Sequence, residues 1–263
     1  MASHQQPGDN PPHDEGALRP RAEGADAGAK ARESVASFRT WVLVVAAGIA
    51  AGVGSWSATE GVLVSYQASL SPPMKPVPTT EDARLITLAR VLSGTAASGA
   101  MGGLLGLALG VAGGASRRSI GAAGIAGGVG LLLGLVGGGV VARLVLPILY
   151  ARLDPQSQDL TIPLLGHAAV WSVSGAVGGL AFGLGAGGRA RWKRTLVGGL
   201  VGAALAAAVY ELVGALAFPT HRTHLPLSAT PETRALAQVL VALGTSIGAV
   251  LAAGEPGRKP GSS

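Results

Sequence analysis

The sequence predicts an all-α integral membrane protein, with six transmembrane helices in three tandem hairpins behind a disordered N-terminal tail. Three observations carry this expectation. Charge-free stretches recur along the chain, only 13% of residues are charged while mean hydropathy is +0.44, and glycine-rich motifs repeat at an offset of 76 residues. A soluble domain of 263 residues would hold more aromatic side chains than 4% and about twice the surface charge. The 42 glycines follow no three-residue period, which excludes collagen, and 48% hydrophobic residues exclude a disordered chain.

Residues 1–38 are polar, rich in proline and poor in large apolar side chains, so they are expected as a disordered cytoplasmic tail. The first apolar stretch begins too late and runs too long for a signal peptide, so the first helix is expected to remain as an anchor. Charge-free spans then follow at 40–59, 91–116, 119–142, 160–188 and 235–254, and another at 195–218 is interrupted only by Glu211. About 20 apolar residues in a helix cross the ~30 Å hydrocarbon core, so each span is long enough. Glycine-rich runs such as 121–139 would be poor helices in water. In lipid, unsatisfied backbone groups are so unfavourable that helix is nearly forced. The membrane domain is therefore placed at 39–254, with residues 255–263 as a second cytoplasmic tail.

Lysine and arginine set the orientation. The N-terminal tail with Arg39, the turn Arg117–Arg118, the cluster Arg189, Arg191, Lys193, Arg194 and the pair Arg258–Lys259 put 13 basic residues on one side, against 6 on the other. Short basic loops stay cytoplasmic, so both termini are expected in the cytoplasm of a bacterial-type inner (plasma) membrane. That clustering between apolar spans is also why the net charge of +6 is read as topology rather than nucleic-acid binding.

The repeat is read from two matches. Residues 48–54 (GIAAGVG) match 124–130 (GIAGGVG), and 98–104 (SGAMGGL) match 174–180 (SGAVGGL), both at an offset of 76. A weaker third copy maps Gly48 to Glu60 on Gly199 to Glu211, at an offset of 151. The units run about 39–118, 119–194 and 195–254. With two helices each they share one orientation, which makes them parallel repeats about an axis along the membrane normal. Glycines also recur at four-residue spacing or near it. Gly99, Gly102, Gly103 and Gly106 are in the second span, Gly130 and Gly134 in the third, and Gly175, Gly179 and Gly183 in the fourth. Four residues are about one helical turn, so each series is a groove that lets another backbone approach.

Catalytic signals are sparse. The chain has no cysteine, which removes disulfides, thiolate metal sites and cysteine nucleophiles. Ser172–Ala176, in the fourth of six helices, resembles the nucleophile region of rhomboid intramembrane proteases. That family takes its base from a histidine in the sixth core helix, and residues 235–254 contain none. His221 and His224 in the last external loop, with Glu232 nearby, offer two metal ligands at most, short of the three or four a zinc needs. No enzyme activity, cofactor or resident metal is expected.

The remaining chemistry is in Glu60, Arg90, Arg143, His167 and Glu211, ionisable residues in or beside the outer halves of the spans. Intramembrane ionisable groups are functional candidates by default. They are read here either as ion pairs tying helix ends together or as an outward-facing polar pocket, with Ser98, Ser174 and Thr245 among the hydroxyls below it. Two functions follow. The first is a non-enzymatic, glycine-packed membrane component whose partners are the bilayer and, through helix–helix association, a second copy or another membrane protein. The alternative is a small transporter or channel.

Overall fold

The computed structural model describes residues 20–70, 79–152, 161–187, 191–218 and 225–254. Among these residues there are six helices and no strand: α1 (Pro20–Leu70), α2 (Thr80–Ser116), α3 (Ile120–Arg152), α4 (Thr161–Ala186), α5 (Arg191–Ala217) and α6 (Pro231–Gly254). All six are long and apolar enough to cross a membrane, and the chain is an all-α, multi-pass membrane protein. It divides between Phe38 and Arg39 into two units, and the second holds the membrane-spanning bundle.

Several helices run beyond the charge-free spans, and α1 also continues 11 residues past residue 59, to Leu70. Residues 20–38, expected as part of the tail, belong to α1. Pro20 suits the first position of a helix, and Ala22, Ala25, Ala27, Ala29, Ala31 and Ala36 are strong helix formers. α2 starts 11 residues before the charge-free span because Thr79 caps it: its side chain accepts from Asp82 N, and the Asp82 carboxylate accepts from Thr79 N. α3 runs on through Arg143 and Pro147 to Arg152. Charge-free length measures the hydrocarbon, whereas these helices continue beyond it. At 37 residues α2 is roughly 55 Å long.

The returning helices are inside and the outgoing ones outside. The most apolar windows of α2, α4 and α6 are 61%, 50% and 44% buried, against 33%, 28% and 39% for α1, α3 and α5. One core cluster draws on five of the helices, including Val44, Leu105, Leu109, Phe182 and Val241, and a second adds Ala142 and Leu146 of α3. Each returning helix packs on the next outgoing one, α2 on α3 and α4 on α5, while α6 packs on both α5 and α1.

Glycine makes these contacts close. A methyl group built on Gly102, Gly106, Gly130 or Gly134 would overlap backbone of the facing helix across α2 and α3. Gly175 and Gly179 meet Gly199 and Thr195 of α5 in the same way, Gly202 meets Gly244 of α6, and Gly48 meets Ser246. Gly99 is slightly more open, with the Leu135 carbonyl oxygen 3.1 Å from such a methyl, and Gly103 and Gly183 face side chains as well. The repeat does not carry through every face. Gly48 and Gly52 contact α6, yet their sequence matches Gly124 and Gly128 have no atom within 4 Å of an added methyl, because α3 turns Ala126, Gly130 and Gly134 to its neighbour instead.

Candidate functional site

Several polar side chains at the expected outer end, among them His167, Glu211, Tyr210 and Arg234, come together where α4, α5 and α6 meet. His167 is six residues into α4, and Glu211 is six residues before the end of α5. Antiparallel packing of these helices brings the two to the same depth, and His167 Nδ1 and Glu211 Oε1 share a hydrogen bond. Both are buried, at 3% and 4% exposure. A hydrogen-bonded pair is how such groups are tolerated at this depth.

An aromatic wall surrounds the imidazole. Trp171, one turn along α4, stacks on it at 4.7 Å between ring centroids, and Tyr210 meets it edge-on at 5.7 Å. Tyr210, fully buried, shares a hydrogen bond with Ser228 of the segment leading into α6. That segment is held a second time by Arg234, whose Nη1 donates to the carbonyl oxygens of Ser228 at 2.8 Å and Ala229 at 3.1 Å. The same guanidinium pairs with Glu60 of α1. One residue therefore ties the segment to two helices.

Beneath this segment is a cavity of about 50 Å³. Leu146 and Leu149 of α3 wall one side, Ser98 and Met101 of α2 another, and His167, Trp171 and Ser174 of α4 face Gln238 of α6. Gln238 Nε2 donates to Thr59 Oγ1 at 2.9 Å, but its Oε1 is buried without a partner. Ser174 Oγ, Glu211 Oε2 and Thr245 Oγ1 are likewise buried and unpartnered. Buried polar atoms are nearly always hydrogen-bonded, and each exception calls for an explanation. Towards the other end the bundle is filled by Leu105, Leu109 and Phe182, each at most 1% exposed.

The five candidate residues thus separate. His167 and Glu211 form one pair, Glu60 joins Arg234 in another, and Arg90 and Arg143 are on exposed faces of α2 and α3. His221 and His224 lie outside the described residues. Trp171, Tyr210, Ser228 and Gln238 were not singled out from sequence. The usable signal was scarcity: the chain has only four Trp and three Tyr, and Trp171 and Tyr210 fall well inside apolar spans with a polar atom to satisfy. No family model, no curated protein and no solved structure matches the chain.

Proposed function

We propose that the protein is a small transporter or channel whose outward-facing pocket holds a small, hydrogen-bond-donating solute beside the His167–Glu211 pair. The observation that carries this reading is the polar lining of the cavity: Ser174 Oγ and Gln238 Oε1 line it or lie at its edge, buried and unpartnered. Leaving a buried polar atom unsatisfied costs ~1–3 kcal/mol, so a bundle selected only for packing would have apolar residues at both positions. The Gln238 carbonyl oxygen and the Ser174 hydroxyl, in a lining that also holds His167 and Arg234, favour a ligand rich in N–H or O–H donors. At about 50 Å³ the space suits a solute of a few heavy atoms, such as ammonium or methylammonium. In this reading Leu105, Leu109 and Phe182, all buried, would block passage towards the other end of the bundle.

Helix–helix association is the second reading. Most of the glycine grooves are filled by neighbours within the chain, but Gly121, Gly124 and Gly128 of α3 face open space beside Ile125, which is 73% exposed. A second copy or another membrane helix would fit there. The two readings separate in one experiment: thermal melts of purified protein with ammonium, methylammonium or sodium, and flux of the same ions into proteoliposomes. The pocket reading expects saturable stabilisation and flux by at least one, both lost in Glu211→Gln. No response to any of the three, in a protein that self-associates, leaves only the second.

A further inference from the structure

The lining of the polar cavity ends at Met101 on α2, Ser174 on α4 and Val241 on α6. Four residues on, one helical turn deeper on the same faces, are Leu105, Gly178 and Thr245. These three meet. A methyl group built on Gly178 would lie 3.1 Å from Leu105 Cγ, 3.1 Å from Leu109 Cδ1 and 3.2 Å from Thr245 Cγ2. The floor of the cavity is therefore two leucines and a threonine seated on a residue without a side chain.

Thr245 is fully buried, and its hydroxyl has no partner. A serine or threonine inside a helix ordinarily settles its hydroxyl on the carbonyl one turn back. Thr95 does so on Val91 at 2.7 Å, and Ser246, the neighbour of Thr245, does so on Ala242 at 2.7 Å. The Thr245 oxygen is left over, as is that of Ser174, one turn above Gly178. Two buried acceptors thus follow one another inward along the meeting line of α4 and α6. Thr245 is nine residues before Gly254, roughly 14 Å, which puts it near the middle of a ~30 Å hydrocarbon core. One turn further on α6 is Ala249, fully buried in the same packed cluster as Leu109 and Phe182 and without a polar side-chain atom.

We propose that Thr245 is a second contact for the solute, at mid-membrane, and that Leu105 is the side chain that moves to admit it. This rests on the pocket reading above and gives the route a direction, inward between α2, α4 and α6. Against Gly178, Leu105 slides over bare backbone, whereas a methyl group at position 178 would wedge it.

Two measurements on the full chain test this. In the first, ammonium and methylammonium are read by melting shift, which reports the outer cavity, and by flux into proteoliposomes, which reports the whole route. Thr245→Val keeps the shape and removes one hydrogen bond, so flux should fall roughly two- to tenfold with the melting shift unchanged. Gly178→Ala should likewise lower flux alone. Leu105→Ala should raise it, and if that variant fails to fold, Gly178→Ala carries the test of the gate. Flux unchanged in both Thr245→Val and Gly178→Ala, in a parent that shows flux and melting shift, overturns the proposal and leaves the pocket reading standing. A parent with neither fails the pocket reading, and the route with it.

The second measurement needs no transport. The chain has no cysteine, so Thr245→Cys and Ala249→Cys each introduce a single thiol. Silver ion, a cation of about ammonium's size, is added to each purified protein, and the unreacted thiol is counted after unfolding. The thiol at position 245 should react and the one at 249 should not, and adding Gly178→Ala should slow the first. A thiol at 245 no more reactive than the one at 249 overturns the proposal.

Discussion

Glu60 and Arg234 are 174 residues apart in sequence and form a two-point ion pair, Nε to Oε1 at 2.7 Å and Nη2 to Oε2 at 2.8 Å. The parallel geometry needs a planar guanidinium. The pair joins the first helix to the last, and Trp56 Nε1 adds a second link by donating to the Pro231 carbonyl oxygen at 3.1 Å. The fold is thereby closed on itself at the end that holds the cavity.

Arg234→Lys should therefore behave as a disruptive change. An ammonium keeps the charge but cannot serve both carboxylate oxygens and the carbonyls of Ser228 and Ala229 together. The expected loss is about 1.5–3 kcal/mol, the range for hydrogen bonds to charged groups. A double-mutant cycle with Glu60→Gln, followed by thermal melting, isolates the coupling. Additive single effects would mean that the pair is not formed in the membrane.

The glycines give a sharper contrast. Gly134→Ala sets a methyl group against the Gly102 carbonyl, and Gly179→Ala sets one against Thr195. Overpacking a tight contact costs typically ~1–3 kcal/mol, so both should melt well below the parent. Gly124→Ala meets nothing within 4 Å and should be neutral or slightly stabilising, since alanine is the better helix former by ~1 kcal/mol in water. Equal melting of all three variants would refute close packing at these positions.

How much of the fold and the site is legible in the sequence depends on what each signal measures. Hydrocarbon-length apolar runs fix the number of helices, because a charge inside lipid is expensive wherever it points. Rotational phase is another matter. α3 is apolar all round, so nothing in residues 121–142 tells which of its glycines faces α2, and the matched Gly124 and Gly128 fall on the open side. The same blindness applies to Arg90 and Arg143, whose depth is legible but whose outward direction is not. His167 and Glu211 could be singled out because any direction they took would be costly without a partner.

Topology offers a test that does not depend on packing. Reporter fusions at residues 117, 190 and 260 should read cytoplasm, and fusions at 75, 155 and 225 the exterior. The antiparallel succession of α1 to α6 requires alternation, while the basic clusters decide its sign. An exterior signal at 190 would invert the assignment and place Lys193 and Arg194 at the outer leaflet.

Ser174→Ala separates a binding site from a defect. The serine is 1% exposed, its hydroxyl has no partner, and it lines the cavity shared with His167 and Gln238. If the hydroxyl were only a flaw in packing, its removal would relieve a buried unsatisfied group and raise stability by about 1 kcal/mol, with nothing else changed. If it contacts a solute, the variant should still melt higher than the parent when no solute is present, because alanine fits the same space. The stabilisation by ammonium or methylammonium, and any flux, should then fall or vanish. Function held at a cost in stability is a common trade-off at binding sites. Melting curves of both proteins with and without the ions measure the two effects side by side. A variant that is less stable than the parent in the absence of any solute would contradict both accounts, and would mean that the hydroxyl is already bonded, to water or to backbone, in the folded protein.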